Sequence, residues 1–289
     1  NGWVDGNEDY EEAMVYYMKA EKLGHADASN NLGVMYEEGL GVMPDIDKAI
    51  LYYEKAAELE STYAMNNLAL LYMYGNGVKK NLDKALVLLR NALNIEEESL
   101  TFYNMGALHE LNQNYKEMVK AYKKSIQIDE DSDALYALGL AYEFGNGVKQ
   151  DDKKAFEFVL KAAEKENIDA INWIGAAYMG GIGVARNYDM AIKYYKEAAA
   201  LGDTFSMNNL GVIYVIGDGV DIDYKKAFGY FTKSSELGNH AGTYLLADLY
   251  RDGLGVKADP KYALKLYKLA GNGGDLQSMI KVADMYRFG

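Results

Sequence analysis

The sequence predicts an all-α fold, a solenoid of stacked antiparallel helix pairs. Three observations carry that prediction. A motif of about 36 residues recurs along the 289-residue chain. Each copy contains two segments whose apolar residues repeat at i, i+3, i+4 and i+7, the period of a helix and not of a strand. Only two prolines, Pro44 and Pro260, interrupt the chain, so long segments are free to coil.

The recurrence is read from the small residue in "NNLGVMY", which returns as Gly33, Ala69, Gly106, Gly139, Gly175, Gly211, Ala247 and Ala283. The steps are 36 residues except for one of 37 and one of 33, on either side of Gly106. Within a repeat the first helix, A, is exemplified by "ASNNLGVMYEEG" and the second, B, by "DKAILYYEKAAEL". The whole chain, 1–289, is thus one repeat array. A partial repeat covers 1–24, and whole ones cover 25–60, 61–96, 97–130, 131–166, 167–202, 203–238 and 239–274. A second partial repeat covers 275–289. The array therefore reads as beginning and ending inside a repeat.

Between the two helices stands Gly-x-Gly-Val, as in "YEEGLGV", "YMYGNGV", "YEFGNGV", "YMGGIGV", "YVIGDGV" and "YRDGLGV". Glycine permits the positive φ by which a chain leaves a helix and turns back. The valine is placed to fill the apolar gap under the turn. A Gly-x-Gly dinucleotide loop would follow a strand and carry a third glycine; these copies follow a helix and occur six times.

Helix B opens on its own signature. Asp9, Asp45, Asn81, Asn114, Asp151, Asn187, Asp223 and Asp259 stand four residues before the small residue of helix B. Side chains of this type accept hydrogen bonds from the free N–H groups of a first turn, worth about 1 kcal/mol each. Pro260 follows Asp259 at the helical position where a missing N–H costs little. The column is read as N-caps.

Composition narrows the function classes. A net charge of −13 repels phosphate backbones and anionic membrane surfaces, so no nucleic-acid partner is expected. The chain has no cysteine, which excludes disulfides, thiol catalysis and cysteine-ligated zinc while leaving the compartment open. No apolar run approaches the roughly 20 residues of a membrane-spanning helix, so no direct membrane insertion is expected.

The segment "ADASNNLGVMYEEGLGVMPDIDKAILYYEKAAELE" resembles a Sel1-like repeat, the variant of the tetratricopeptide repeat with a longer loop between helices A and B. The resemblance spans essentially the whole chain. The repeat at 97–130, "SLTFYNMGALHELNQNYKEMVKAYKKSIQID", lacks Gly-x-Gly-Val, has a loop four residues shorter and resembles an ordinary tetratricopeptide repeat. The family implies a right-handed superhelical α-solenoid whose A helices line the concave side. It also implies a non-enzymatic adaptor. Relatives of this kind serve membrane-associated degradation machinery in eukaryotes, and act as envelope, secretion or host-interaction factors in bacteria.

On a wheel of about 100° per residue with Leu32 at zero, Asn30 falls at about 160°, away from the packed side. Its column reads Asn30, Asn66, Tyr103, Tyr136, Asn172, Asn208, Tyr244 and Ile280. Asparagine offers a donor and an acceptor that can pair with any peptide backbone. Tyrosine offers flat contact area at low entropic cost. Asn30, Asn66, Tyr103, Tyr136, Asn172, Asn208 and Tyr244 are therefore candidates for holding a peptide or partner helix in the concave groove. The same column can instead be an inter-repeat ladder, bonding neighbouring helices. Four residues on, Val34, Leu70, Ala107, Leu140, Ala176 and Val212 make the groove apolar, with Asp248 and Asp284 charging its end.

Nothing in the sequence reads as a catalytic site, a metal site or a cofactor motif. His25 and His240 open A helices, and His109 takes the place of a packing tyrosine and is expected to be a satisfied core residue. "SMIK" at 278–281 matches Ser-x-x-Lys without the companion motifs that would make it an acylation site. A protein-interaction scaffold is the first functional reading. A regulatory or ligand-binding arm of a larger enzyme, or of an envelope or secretion complex, is the second.

Overall fold

The computed structural model of the protein describes residues 9–288, and every regular element among them is an α-helix. Residues 1–8, which open the first partial repeat, and Gly289, which ends the last, lie outside the described residues. The chain divides into two compact units, Asn1–Gln150 and Asp151–Gly289. The first holds α1 (Tyr10–Lys22), α2 (Ala26–Glu38), α3 (Ile46–Glu58), α4 (Thr62–Tyr74), α5 (Leu82–Ile95), α6 (Ser99–Leu111), α7 (Tyr115–Asp129) and α8 (Ser132–Phe144). The second holds α9 (Asp152–Glu164), α10 (Ile168–Gly180), α11 (Tyr188–Ala200), α12 (Thr204–Ile216), α13 (Tyr224–Glu236), α14 (His240–Asp252), α15 (Pro260–Asn272) and α16 (Leu276–Phe288). Even-numbered helices are A helices and odd-numbered ones are B helices.

In each unit an A helix packs on the B helix that follows it, and that B helix packs on the next A helix. No hairpin can bury its apolar stripe alone, so each shares its core with a neighbour. In the first unit Leu32, Tyr53, Leu89, Leu108 and Met118 are fully buried; in the second, Ile174, Leu210, Phe231 and Tyr267 are. The small column of helix A is explained by these rings. A Cβ on Gly33 would stand 2.5 Å from the Tyr53 ring, and one on Gly175 2.7 Å from the Tyr195 ring.

The paired aromatics of helix B divide the work of packing. Tyr52, Tyr194 and Tyr230 stack on Tyr36, Tyr178 and Tyr214 of the A helices at centroid distances of 5.5, 5.8 and 6.0 Å. The next residue of each pair, Tyr53, Tyr195 or Phe231, enters the core.

The two loop glycines have different duties. Gly39 caps α2 in the left-handed region at φ 74°, donating its N–H to the Met35 carbonyl. Gly41, at φ 69°, presses on the preceding repeat: a Cβ there would lie 2.7 Å from the backbone carbon of Tyr10, which opens α1. Gly-x-Gly therefore ends one helix and seats the loop on the previous helix B. Val42 and Val78 pack against the core of the first unit, and Val220 and Val256 against that of the second.

Seven of the eight B-helix caps form as the sequence predicts. Asp45, for example, accepts from the Lys48 N–H at 3.1 Å, and Asn187 accepts from that of Met190 at 3.1 Å. Asn114 is the exception and makes no side-chain cap bond. The shorter loop brings the chain into α7 through Gln113 at φ 57°, with the Asn114 N–H donating to the His109 carbonyl. The Asn114 backbone, at φ −85° and ψ 60°, is no longer extended and does not aim the side chain at the first turn.

Candidate partner-binding face

The asparagine column lies at the seam between successive A helices. Asn66 is 1% exposed. Its Nδ2 donates to the Thr62 carbonyl at 2.9 Å and to Thr101 Oγ1 at 2.8 Å, while its Oδ1 accepts from Asn104 Nδ2 at 2.8 Å. Thr101 and Asn104 belong to the next A helix. Asn30 accepts from Asn67 Nδ2 of the next A helix at 3.1 Å.

The second unit repeats the arrangement with a change of partner. Asn172 Nδ2 donates to Asp203 Oδ2 at 2.8 Å and to Ser206 Oγ at 2.6 Å. Asp203 is also the N-cap of α12, accepting from the Ser206 N–H at 2.7 Å. Asn208, 8% exposed, donates to Asn239 Oδ1 at 3.1 Å, and Asn239 caps α14. One repeat's ladder residue thus bonds the cap of the next.

Of the two readings that the sequence left open, the inter-repeat ladder describes the asparagines. Asn66 and Asn208 are buried, and Asn30, Asn66, Asn172 and Asn208 all bond across repeats. Tyr103, Tyr136 and Tyr244 are half-buried. Tyr103 leans on Tyr122 at 5.8 Å between centroids, and burial pushes its phenol up to about 12. Tyr244 leans on Tyr267 at 5.8 Å, and burial raises its phenol as well.

A neighbouring stripe faces outward instead. On α4 it comprises Tyr63, Asn67, Leu70 and Tyr74, spaced i, i+4, i+7 and i+11 so that they share one side of the helix. Tyr63 is 55% exposed; Phe144 on α8 of the first unit and Phe205 on α12 of the second stand at the positions equivalent to Tyr74 and Tyr63 and are each 67% exposed. Leu70, Leu140 and Val212 lie half-buried midway along the same three helices. The sequence held a signal for it: aromatic residues at positions occupied in other repeats by Asp27, Glu38, Asp133 and Asp252.

The acids of this face are largely engaged. Tyr53 and Tyr122 of the B helices reach through to donate to Glu37 and Glu110 of α2 and α6, at 2.6 and 3.0 Å. Near the chain end Tyr267 donates to Asp248 at 2.6 Å, and Arg251 pairs with Asp248 at 2.9 Å and Asp252 at 2.6 Å. The expected charged end of the groove is therefore an internally paired network, which holds the Arg251 guanidinium well above its usual pKa.

Two recesses open on these helices. A cleft of about 780 Å³ in the first unit has a floor of Met65, Leu68 and Tyr72 on α4, between Glu54 and Glu58 of α3 and Val87 of α5. A pocket of about 140 Å³ in the second unit lies on the A-helix stripe beside Met179, Tyr195, Asn209, Val212 and Ile216. His109 departs from the sequence expectation: its Nδ1 is buried without a hydrogen-bond partner, and burial lowers its pKa. Among the described residues no group of acids or histidines is arranged to hold a metal ion, and no helix is long and apolar enough to cross a membrane.

The family model of the Sel1 repeat matches residues 1–25, 26–61, 62–94, 132–167, 168–203, 204–239 and 240–275. It passes over the divergent third repeat. Among solved structures, a Sel1 repeat protein from Oxalobacter formigenes is 23% identical, with a TM-score of 0.72 over 97% of this chain and 83% of that one. A protective antigen of uropathogenic Escherichia coli strains displaying an SLR fold is 28% identical, with a TM-score of 0.68 over 98% of this chain and 62% of that one. Yeast Tom70 shares the fold at 17% identity, with a TM-score of 0.62 over 97% of this chain and 60% of that one. No curated protein matches the chain.

Proposed function

We propose, from the premise that the chain belongs to the Sel1 repeat family, that it is a non-enzymatic scaffold holding a protein partner on the outward stripe of its A helices. A fold of this family is a protein-interaction fold. The supporting observation is that each unit turns exposed apolar residues outward on its A helices, Tyr63, Tyr74 and Phe144 in the first and Phe205 and Ile216 in the second. Solvated helix faces are ordinarily charged, and exposed apolar area of this kind marks a partner surface. The proposed occupant is an extended peptide or an amphipathic helix laid across neighbouring A helices of one unit.

On this reading the asparagine column has a supporting role. Asn66, Asn172 and Asn208 fix the spacing of the A helices, and Asn30, Tyr103, Tyr136 and Tyr244 border the stripe where a peptide backbone can reach them. The −13 charge makes phosphate-rich partners unfavourable.

The test replaces Tyr63, Phe144 and Phe205 together by Ser and measures recovery of co-purifying protein alongside the melting curve. Loss of a specific partner with melting unchanged is expected. Recovery equal to wild type would remove the stripe from the binding surface.

A further inference from the structure

Four repeats with a described helix A place tyrosine at one inward position of helix B: Tyr53, Tyr122, Tyr195 and Tyr267. Three of these hydroxyls donate to an acid of the paired A helix, Glu37, Glu110 or Asp248. The repeat at 167–202 breaks the pattern. Met179 stands where Glu37 and Glu110 stand, and the Tyr195 hydroxyl makes no hydrogen bond among the described residues. Tyr195 is only 4% exposed, and burial alone pushes its phenol up to about 12.

The hydroxyl itself reaches solvent, so it is a donor from which a group entering the pocket can accept. Tyr195 lines the pocket of about 140 Å³ on the A-helix stripe, with Met179, Val212 and Ile216 as apolar walls and Asn209 and Asp218 as its polar groups. That is room for one aliphatic side chain with a few converging polar groups, the usual make-up of a recognition pocket.

We propose that this pocket anchors a peptide through one leucine- or methionine-sized side chain, with a main-chain carbonyl accepting from the Tyr195 hydroxyl and a Lys or Arg beside Asp218. A carboxylate would meet Asp218 and the −13 charge of the chain, so a neutral carbonyl is the acceptor that fits. The Asn209 amide can meet the same peptide group as donor or acceptor. The site deepens the function proposed above and rests on its premise that partners lie on the A-helix stripe.

The test uses the full chain and fluorescein-labelled, end-capped pentapeptides whose central pair is Leu-Lys, Leu-Glu, Ala-Lys or Asp-Lys, followed by polarisation up to about 1 mM. The Leu-Lys peptide is expected to bind best. Met179→Glu rebuilds the tyrosine–acid pair inside the pocket, and is expected to weaken binding about tenfold without lowering the melting temperature. Tyr195→Phe is expected to weaken it about fivefold, the worth of one hydrogen bond. Asp218→Asn is expected to erase the preference for Lys over Glu.

Equal binding of all four peptides, unchanged binding by Met179→Glu, or no binding in the whole range would each overturn the proposal. Loss of the co-purifying partner in the Tyr63, Phe144 and Phe205 triple variant, with Met179→Glu retaining it, would reject this pocket while keeping the stripe. Retention by both variants would reject the stripe as well.

Discussion

The ring of Tyr53 occupies the space that a side chain at Gly33 would need. A Cβ on Gly33 would stand 2.5 Å from Cδ1 and Cε1 of that ring, and the hydroxyl at the far end donates to Glu37 at 2.6 Å. Helix A and helix B of this repeat thus approach closely because one lacks a side chain where the other carries its largest. Gly33→Ala is expected to lower stability by about 1–3 kcal/mol through overpacking. Tyr53→Phe keeps the ring and is expected to cost about 1 kcal/mol for the lost hydrogen bond. Urea titration of both variants checks the order, and a Gly33→Ala variant as stable as wild type would show that the ring can move aside.

The asparagine seam gives a second prediction. Asn66→Ala leaves Thr101 and Asn104 without a bonded neighbour in a buried site, and is expected to cost about 2–4 kcal/mol. Asn30→Ala, which loses one half-exposed bond to Asn67, is expected to cost about 1 kcal/mol or less. Thermal melting of the two single variants separates these values. Equal and negligible effects would return the column to the role of a free binding wall.

The helices, their caps and the loop glycines were legible in the sequence because local rules determine them. An Asp or Asn before a first turn and a glycine after a last one act within a few residues. From the helical wheel the column could be a binding wall or an inter-repeat ladder, and the wheel alone does not decide between them. A wheel ranks positions on one isolated helix, whereas Asn66 is covered by Thr101 and Asn104, more than thirty residues away, from the next repeat. The exposed stripe lies one residue to the side of the column first chosen, about 100° around the helix. The Tyr195 pocket was hidden for another reason. It depends on an acid missing at Met179, which becomes visible only once the tyrosine–acid pairs of the other repeats are seen.

His109 provides a pH-dependent test. Burial holds its imidazole below the ordinary histidine range, opposed by nearby Glu117 and assisted by Arg90. A folded-state pKa below the unfolded value gives stability that is present above about pH 6.5 and lost as pH falls through the folded value. Wild type is therefore expected to lose more melting temperature than His109→Tyr between about pH 7.5 and pH 5. Parallel pH profiles of the two proteins would contradict the assignment.

The turns from helix B to the next helix A carry a correctable strain. Gly24, Gly202, Gly238 and Gly274 take positive φ there, but Glu60 and Glu166 do so at φ 64° and 61°. A residue with a Cβ pays about 1 kcal/mol in this region. Glu60→Gly and Glu166→Gly are each expected to raise stability by about 0.5–1 kcal/mol, less the entropy glycine loses on folding. Denaturant midpoints measure the gain, and a fall in either midpoint would show that the side chains contribute more than the strain removes.

Site-specific photo-crosslinking in the source cell identifies which helices of the protein meet a partner. A benzophenone side chain is placed in turn at Tyr63, Phe144 and Phe205 on the A helices, and at exposed Lys123 and Lys196 on B helices. The expected result is capture of one discrete partner protein from the three A-helix positions and none from Lys123 or Lys196. Capture from the B-helix positions alone would contradict it.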